Sequence, residues 1–440
     1  MPAAPADSAL YGSLFGDPDT ARLFSDTAEI RAMLLVEGAL ARVQGALGLI
    51  PAEAAAFIDR SSQEVQIDPS ALAAETGRNG VPVPGLLAAF RKAAGAPEPM
   101  QYLHWGATSQ DIMDTGLALR LRPMLALWDG RLGALLARLA DLAEAHAAQP
   151  MAARTYGQFA TPTSFGAVVA GWGWPLLDWK SRIGPLRTAV LTVSLSGAAG
   201  TLSAMGPLGP RVRADLAAAL GLADPGHSWH SDRSSVAELA GFAAGLAGSL
   251  GKLGEDVLAL SQSGLSEVSS GGGGSSTMPQ KQNPVAASAL VALARHVIGL
   301  AGLVQGSALH RQQRDGAAWF GEWLALPQLC LSTGRMLTLA AEVVESLRPD
   351  PDAMAQLLED GQGLIHAEAL TFALAETLPR PEAAARVTAL CDEARATGTD
   401  LTALAARDFP GTDWAAALAA RGMGTAEAEA RDFAARVRGS

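Results

Sequence analysis

The chain has 440 residues, more than one core readily organises, so two or three domains are expected. Hydrophobic residues make up 49% of it but aromatics only 5%, so its apolar content is mainly aliphatic, with Ala and Leu prominent, which favours helix over strand. A net charge of −11 offers no concentrated basic face, which excludes nucleic acid and anionic membrane as partners and leaves room for a local pocket that binds a small anion.

Met1 to Leu10 lacks the basic and apolar regions of a secretory signal, and Asp7 interrupts it. The residues up to about 100 read as shorter helices broken by Pro51, Pro69, Pro82 and Pro84. From Arg131 to Gln149, the positions Leu132, Leu135, Leu136, Leu139 and Leu142 recur at three and four residues, which predicts one helix face closed by Pro150. Phe165 to Trp179 is the least polar stretch, but it contains Pro175 and Asp178 and is too short to cross a bilayer. Strand evidence is poor, since the Val-rich piece Thr188 to Leu195 is short and no run of alternating strands with turns is present.

A longer helix follows Ser234, with Val236, Leu239, Phe242, Leu246, Leu250, Leu253, Val257 and Leu260 again spaced by three or four. Gly241, Gly245, Gly248, Gly251 and Gly254 lie between these rungs, costing helix propensity but letting neighbouring helices approach closely. A third helix runs from Val285 to about Leu303, through Leu290, Val291, Val297 and Leu300, just after an Asn-Pro pair. Cys330 and Cys391 both fall in apolar helical patterns, which supports neither a disulfide framework nor a multi-cysteine zinc site and fits a reducing cytoplasm. Pro349, Pro351 and Asp352 mark a boundary, and Glu427 to Arg438 reads as a solvated helix face. The expected fold is all-α: an N-terminal helical domain over 1–110, a central long-helix bundle over 111–352 and a C-terminal helical domain over 353–440.

The chemistry concentrates in residues 269–284, between the two strongest helices. Gly271 to Gly274 keep this loop mobile and let backbone N–H groups approach an anion without a Cβ in the way, as a lid or an oxyanion site requires. Ser275, Ser276, Lys281 and Asn283 follow, supplying a proton-transfer group, a fixed positive charge and an amide donor suited to a carbanion. A flexible Gly/Ser linker has the same composition but does not need Met278-Pro279, Lys281 and Asn283 directly before a helix.

Gly274-Ser-Ser-Thr-Met-Pro-Gln-Lys-Gln-Asn-Pro284 resembles the GSSxMPxKxNP loop of the fumarase/aspartase superfamily, with every fixed position filled. His104-Trp-Gly-Ala-Thr-Ser-Gln-Asp-Ile-Met-Asp114 is similar to that superfamily's first conserved segment, and Arg154-Thr-Tyr-Gly-Gln-Phe-Ala-Thr-Pro-Thr163 to its second. The resemblance implies three helical domains, a homotetramer whose active sites each draw on three subunits, a small polycarboxylate substrate, and neither metal nor cofactor. It implies Ser275 as the proton-transfer group, Lys281 and Asn283 as holders of the delocalised charge, and Thr108 and Ser109 as carboxylate ligands. Gln110, Thr155, Tyr156, Gln158 and Ser276 fall in the same segments as candidate substrate contacts. Many members carry His where this chain has Tyr156.

Ser196–Leu202, Ser228–Arg233, Gly248–Gly254 and Glu322–Pro327 look like the carboxymuconate cycloisomerase branch more than the adenylosuccinate or argininosuccinate lyases. The leaving group points the same way. Opening a muconolactone expels a carboxylate of pKa about 4, whereas an amine or hydroxide must be protonated as it leaves, so lactone chemistry can dispense with the missing histidine. The intact Ser275, Lys281 and Asn283 argue against a catalytically silent relative.

His104 either binds carboxylate or orients the proton-transfer network, the alternative being a hydrogen-bonded structural histidine. His227, His230 and Asp232 suggest a metal cluster only superficially. Arg154, Arg311 and Arg314 could pair with substrate carboxylates through a planar fork or form ordinary salt bridges, with Arg314 ranked first.

Overall fold

In the computed structural model, residues 4–274, 277–278, 280–359 and 361–439 are described. Among them the chain is helical apart from three short two-stranded ladders and an isolated bridge between Thr192 and Ala223. The longest helices are Ser109–Ala145, Phe165–Val190, Ser234–Leu260, Val285–Gly306 and Gly316–Ser346. Two compact units are formed, one from residues 1–131, 179–248 and 292–337 and the other from 132–178, 249–291 and 338–440.

In the first unit, Ser25 caps the Asp26–Ala46 helix by accepting the Ala28 N–H at 3.3 Å. That helix buries Met33, Leu34, Val36 and Leu40 in a core shared with Phe90, Met100 and Ile112. Trp128 stacks on Phe242 and Trp179 meets the same ring edge-on. A Cβ at Gly245 would collide with the Trp179 indole, so this glycine does allow the close approach expected of its row. Nothing crowds Gly248.

In the second unit, Trp172 donates its indole N–H to Asp256 at 2.7 Å, and a Cβ at Gly254 would lie 2.9 Å from Val291. A separate cluster of Leu370, Leu374, Val387, Leu390, Leu401, Leu404 and Trp414 holds the short helices of the tail. The Ala426–Arg438 helix turns Ala426, Ala430, Phe433 and Ala434 inward, and Phe433 packs against Trp174. Its charges face out, where Arg438 pairs with Asp141 and Glu144. Cys330 and Cys391 are both buried and unpaired.

Several expectations shift. The helix expected from Arg131 begins at Ser109 and ends at Ala145, because its first half buries charged groups that periodicity assigns to solvent. Thr188 to Leu195, where strand evidence is poor, holds the end of the Phe165–Val190 helix and an isolated bridge from Thr192 to Ala223. The helix with the apolar length of a bilayer span is Val285–Gly306, not the 165–179 region, and 56% of its apolar window is buried in the protein itself.

The second motif segment forms a hairpin in which Pro150–Thr155 pairs antiparallel with Gln158–Ser164. Tyr156 and Gly157 make its two-residue turn, at φ 53° and 72°, as the right-handed strand twist favours.

Candidate functional site

The first segment builds a tight turn ahead of a helix. His104 has φ 64° and Gly106 φ 72°, and a Cβ on Gly106 would sit 2.9 Å from Met205, so glycine is required there for space as well as for conformation. The helix then starts at Ser109 with a reciprocal cap: Asp111 accepts the Thr108 N–H at 2.9 Å while its own N–H reaches the Thr108 carbonyl at 3.0 Å.

Asp111 is fully buried and organises more than the cap. Its carboxylate accepts the N–H groups of Ser196 and Gly197 at 2.8 and 3.0 Å and lies 2.7 Å from His230 Nε2. The 104–111 turn, the 196–197 turn and the 230 region are thereby tied to one side chain. A carboxylate saturated in this way is a scaffold for its neighbours.

Gln110 is also fully buried. Its amide N–H groups go to the His230 carbonyl at 2.8 Å and to Asp114 at 3.1 Å, and its Oε1 accepts from Arg314 Nε at 2.8 Å. The structure thus brings Arg314 to the first segment, across 204 residues of sequence, while removing Gln110 from direct reach of a ligand. Thr108 and Ser109 remain half-exposed at the helix start.

Arg233 lies directly behind this face. It donates to both oxygens of Asp114 at 2.7 and 3.0 Å and to both oxygens of Glu322 at 2.7 and 3.0 Å, with its guanidinium over the Trp229 ring. All three charged side chains are at most 2% exposed. Burial opposes the charge on Arg233, but the two carboxylates outweigh it and hold its pKa above the ordinary arginine value. An apolar cavity of about 600 Å³ is lined by Met33, Leu72, Met113, Leu117, Trp323 and Leu326, beside Asp114 and Glu322. None of the candidate site residues is in its wall.

The remaining candidates belong to the second unit. Thr155, Tyr156 and Gln158 are all exposed at the hairpin tip, Tyr156 completely so, which leaves its ring no packing role within this chain. Tyr156→Phe is therefore expected to change stability by less than about 0.5 kcal/mol, checked by thermal unfolding. Arg154 forms an ion pair with buried Glu267 at 2.7 Å and stacks on Phe159. Burial raises the Glu267 pKa and Arg154 opposes it.

In the glycine loop, Gly273–Gly274 pair antiparallel with Gln282–Asn283. A Cβ on Gly272 would collide with the Asn283 carbonyl, so the glycine run allows two backbones to touch as well as leaving the segment free of side chains. Lys281 is exposed and Asn283 half-buried, with the Lys281 N–H donated to the Met278 carbonyl at 3.0 Å. Ser275 and Ser276 lie outside the described residues.

Arg311 pairs with Asp315 at 2.6 Å and keeps 81% of its side chain exposed, as a solvated salt bridge does. His230 Nε2 is spent on Asp111, and His227 is exposed with Nδ1 on the Ser228 carbonyl. No three His, Cys, Asp or Glu side chains are placed to hold a metal among the described residues.

Sequence reasoning missed Asp111, Glu37 and the Asp114–Arg233–Glu322 cluster. The cap was readable, since Thr108 and Asp111 stand at capping-box spacing. Glu37 left a different trace, a lone acid on a helix face otherwise occupied by Met33, Leu34, Leu40 and Ala41.

A family model described as lyase matches residues 20–299. The chain is 38% identical to the 3-carboxy-cis,cis-muconate cycloisomerase of Pseudomonas aeruginosa, with 88% of this chain and 85% of that one covered. It is also 38% identical to the enzyme of the same name from Pseudomonas putida, over 91% and 96% of the two chains. The crystal structure of the 3-carboxy-cis,cis-muconate lactonizing enzyme from Pseudomonas putida superposes with a TM-score of 0.91 at 34% identity, covering 98% of this chain and 99% of that one. The chain belongs to the lyase family of the fumarase/aspartase superfamily.

Proposed function

We propose that this protein is a cycloisomerase that converts 3-carboxy-cis,cis-muconate to 4-carboxymuconolactone in the catabolism of aromatic acids. One observation carries the reading: the likeness to cycloisomerases extends over about nine-tenths of the chain and includes an unbroken Gly274–Pro284 loop. Tyr156 agrees with it. A phenol replaces the imidazole that other members place there, and lactone chemistry expels a carboxylate that needs no such acid.

One carboxylate of the substrate adds to its own double bond, forming the ring C–O bond and pushing the π pair onto the neighbouring carbon. The carbanion delocalises into its attached carboxylate, where Lys281 and Asn283 stabilise the charge. Ser275 delivers the proton, and its alkoxide is held by loop amides until solvent returns a proton. Thr108, Ser109, Arg314 and the hairpin residues Thr155, Tyr156 and Gln158 bind the remaining carboxylates. Tyr156→Phe should then slow lactonisation by at most roughly a hundredfold, the worth of one charge-assisted hydrogen bond of up to about 3 kcal/mol.

The active form is a cytoplasmic homotetramer with sites assembled from several subunits. This reading follows from the resemblance of the three motif segments to the fumarase/aspartase superfamily, whose sites draw on several subunits. Mixing an inactive Ser275→Ala variant with an inactive Thr108→Val variant should restore partial activity, since some sites draw intact segments from both parents. Absence of recovery after confirmed subunit exchange would rule out shared sites. The function itself is tested by ultraviolet loss of the diene on incubation with 3-carboxy-cis,cis-muconate, run beside adenylosuccinate. Turnover of adenylosuccinate alone would replace the cycloisomerase reading with a carbon–nitrogen lyase.

A further inference from the structure

Glu37 is an acid where packing calls for none. It projects from the Asp26–Ala46 helix into the core, its side chain has no exposed surface, and its Oε1 meets His104 Nδ1 at 2.6 Å. Its Oε2 is buried without a hydrogen bond. Taking a carboxylate out of water costs several kcal/mol, and a carboxylate placed for stability alone would have both oxygens satisfied.

His104 is constrained as well. A non-glycine residue at φ 64° is strained and persists only where its surroundings over-determine it. The turn fixes its backbone and Glu37 fixes Nδ1. Nε2 has no hydrogen bond among the described residues, and the ring keeps 16% of its surface exposed, on the same turn as Thr108. The dyad has one side spent on the core and the other open.

We propose that Glu37 is a positioning residue that holds His104 as an imidazolium cation, with Nδ1–H spent on Glu37 and Nε2–H presented to a carboxylate of the substrate. This inference rests on the polycarboxylate substrate proposed above. Four influences act on the ring. Burial lowers the His104 pKa, Glu37 raises it by charge and by hydrogen bond, Asp111 from the Ser109–Ala145 helix raises it further, and Arg91 from the Val83–Ala94 helix lowers it. The net displacement is above the ordinary 6.5. Without Glu37, burial and Arg91 outweigh Asp111 and the ring becomes neutral near pH 7.

The test uses Glu37→Gln, which keeps shape and an acceptor oxygen while removing the charge. In the full-length enzyme labelled with ¹⁵N-histidine, the His104 titration midpoint should move from above 6.5 to below it. At a pH between the two measured midpoints the KM for 3-carboxy-cis,cis-muconate should rise about tenfold or more, with kcat within about twofold, and the difference should shrink below the lower midpoint. An unchanged midpoint, or an unchanged KM with only a lower melting temperature, would overturn the proposal and leave the pair a structural contact. His104→Gln gives a second route should Glu37→Gln fold poorly: it should raise KM equally and abolish the pH dependence of that rise. Failure of wild type to turn over carboxymuconate refutes the function reading, whereas the NMR midpoint still decides whether Glu37 sets the charge of His104.

Discussion

Ser275→Ala should abolish detectable turnover of 3-carboxy-cis,cis-muconate, a loss of at least about a hundred- to ten-thousandfold, while leaving the fold intact. In the proposed mechanism Ser275 is the proton-transfer group, and its loss removes a step not assigned to Lys281 or Asn283. Lys281 is exposed and carries a charge suited to stabilising the carbanion, and Asn283 can donate but not transfer a proton. A serine hydroxyl is a poor base in water, so its use depends on the loop that carries it. Gly273–Gly274 laddered to Gln282–Asn283 brings the two ends of that loop together around residues 275–281. The variant deletes a single oxygen from a polar, glycine-rich stretch of sequence, so circular dichroism and gel filtration should match wild type. Near-normal rates in such a variant would remove Ser275 from the mechanism.

Arg233→Met should destabilise the protein by about 3–5 kcal/mol, the cost of leaving buried charges without their partner. Asp114 and Glu322 each receive two hydrogen bonds from this guanidinium, and each is only 2% exposed. The methionine fills most of the volume, so the loss reports charge and not a cavity. A pH signature accompanies it. Burial already raises Glu322 above its ordinary 4.5, with Arg233 opposing, and removing Arg233 lifts it further. A carboxyl whose folded pKa is raised contributes stability below its unfolded pKa and loses it as pH rises through the folded value. The deficit of Arg233→Met should therefore be small near pH 4 and full at pH 7 and above. Adding Asp114→Asn and Glu322→Gln to Arg233→Met should recover part of the loss at neutral pH, as read by urea unfolding. A deficit independent of pH would mean that packing, not charge, is what Arg233 supplies.

The same cluster shows what a sequence can and cannot reveal. The Ser234–Leu260 helix was legible from end to end because its eight rungs are apolar and its interior carries few charges. The Ser109–Ala145 helix was legible only in its second half. In its first half Asp111, Asp114 and Arg120 are turned inward, and a pattern that assigns charge to solvent reads such residues as a break. The 150–164 hairpin escaped for a local reason: its turn is Tyr-Gly, and only the glycine of that pair favours positive φ.

The candidate site divides in the same manner. Its motif residues could be found because they lie within short stretches, such as 104–114 and 274–284. Their supports could not, because Glu37 reaches His104 across 67 residues, His230 reaches Asp111 across 119, and Arg314 reaches Gln110 across 204. Only the folded chain brings such pairs together. Gln110 shows the consequence, since it stands inside the motif yet supports Arg314 from behind.

The most direct measurement is the mass and proton spectrum of the product formed from 3-carboxy-cis,cis-muconate in H₂O and in D₂O. Intramolecular addition followed by protonation predicts a lactone isobaric with the substrate in H₂O and bearing a single deuterium, on the carbon next to the ring oxygen-bearing carbon, in D₂O. An unconsumed diene, a fragment of lower mass, or a lactone without deuterium would contradict it.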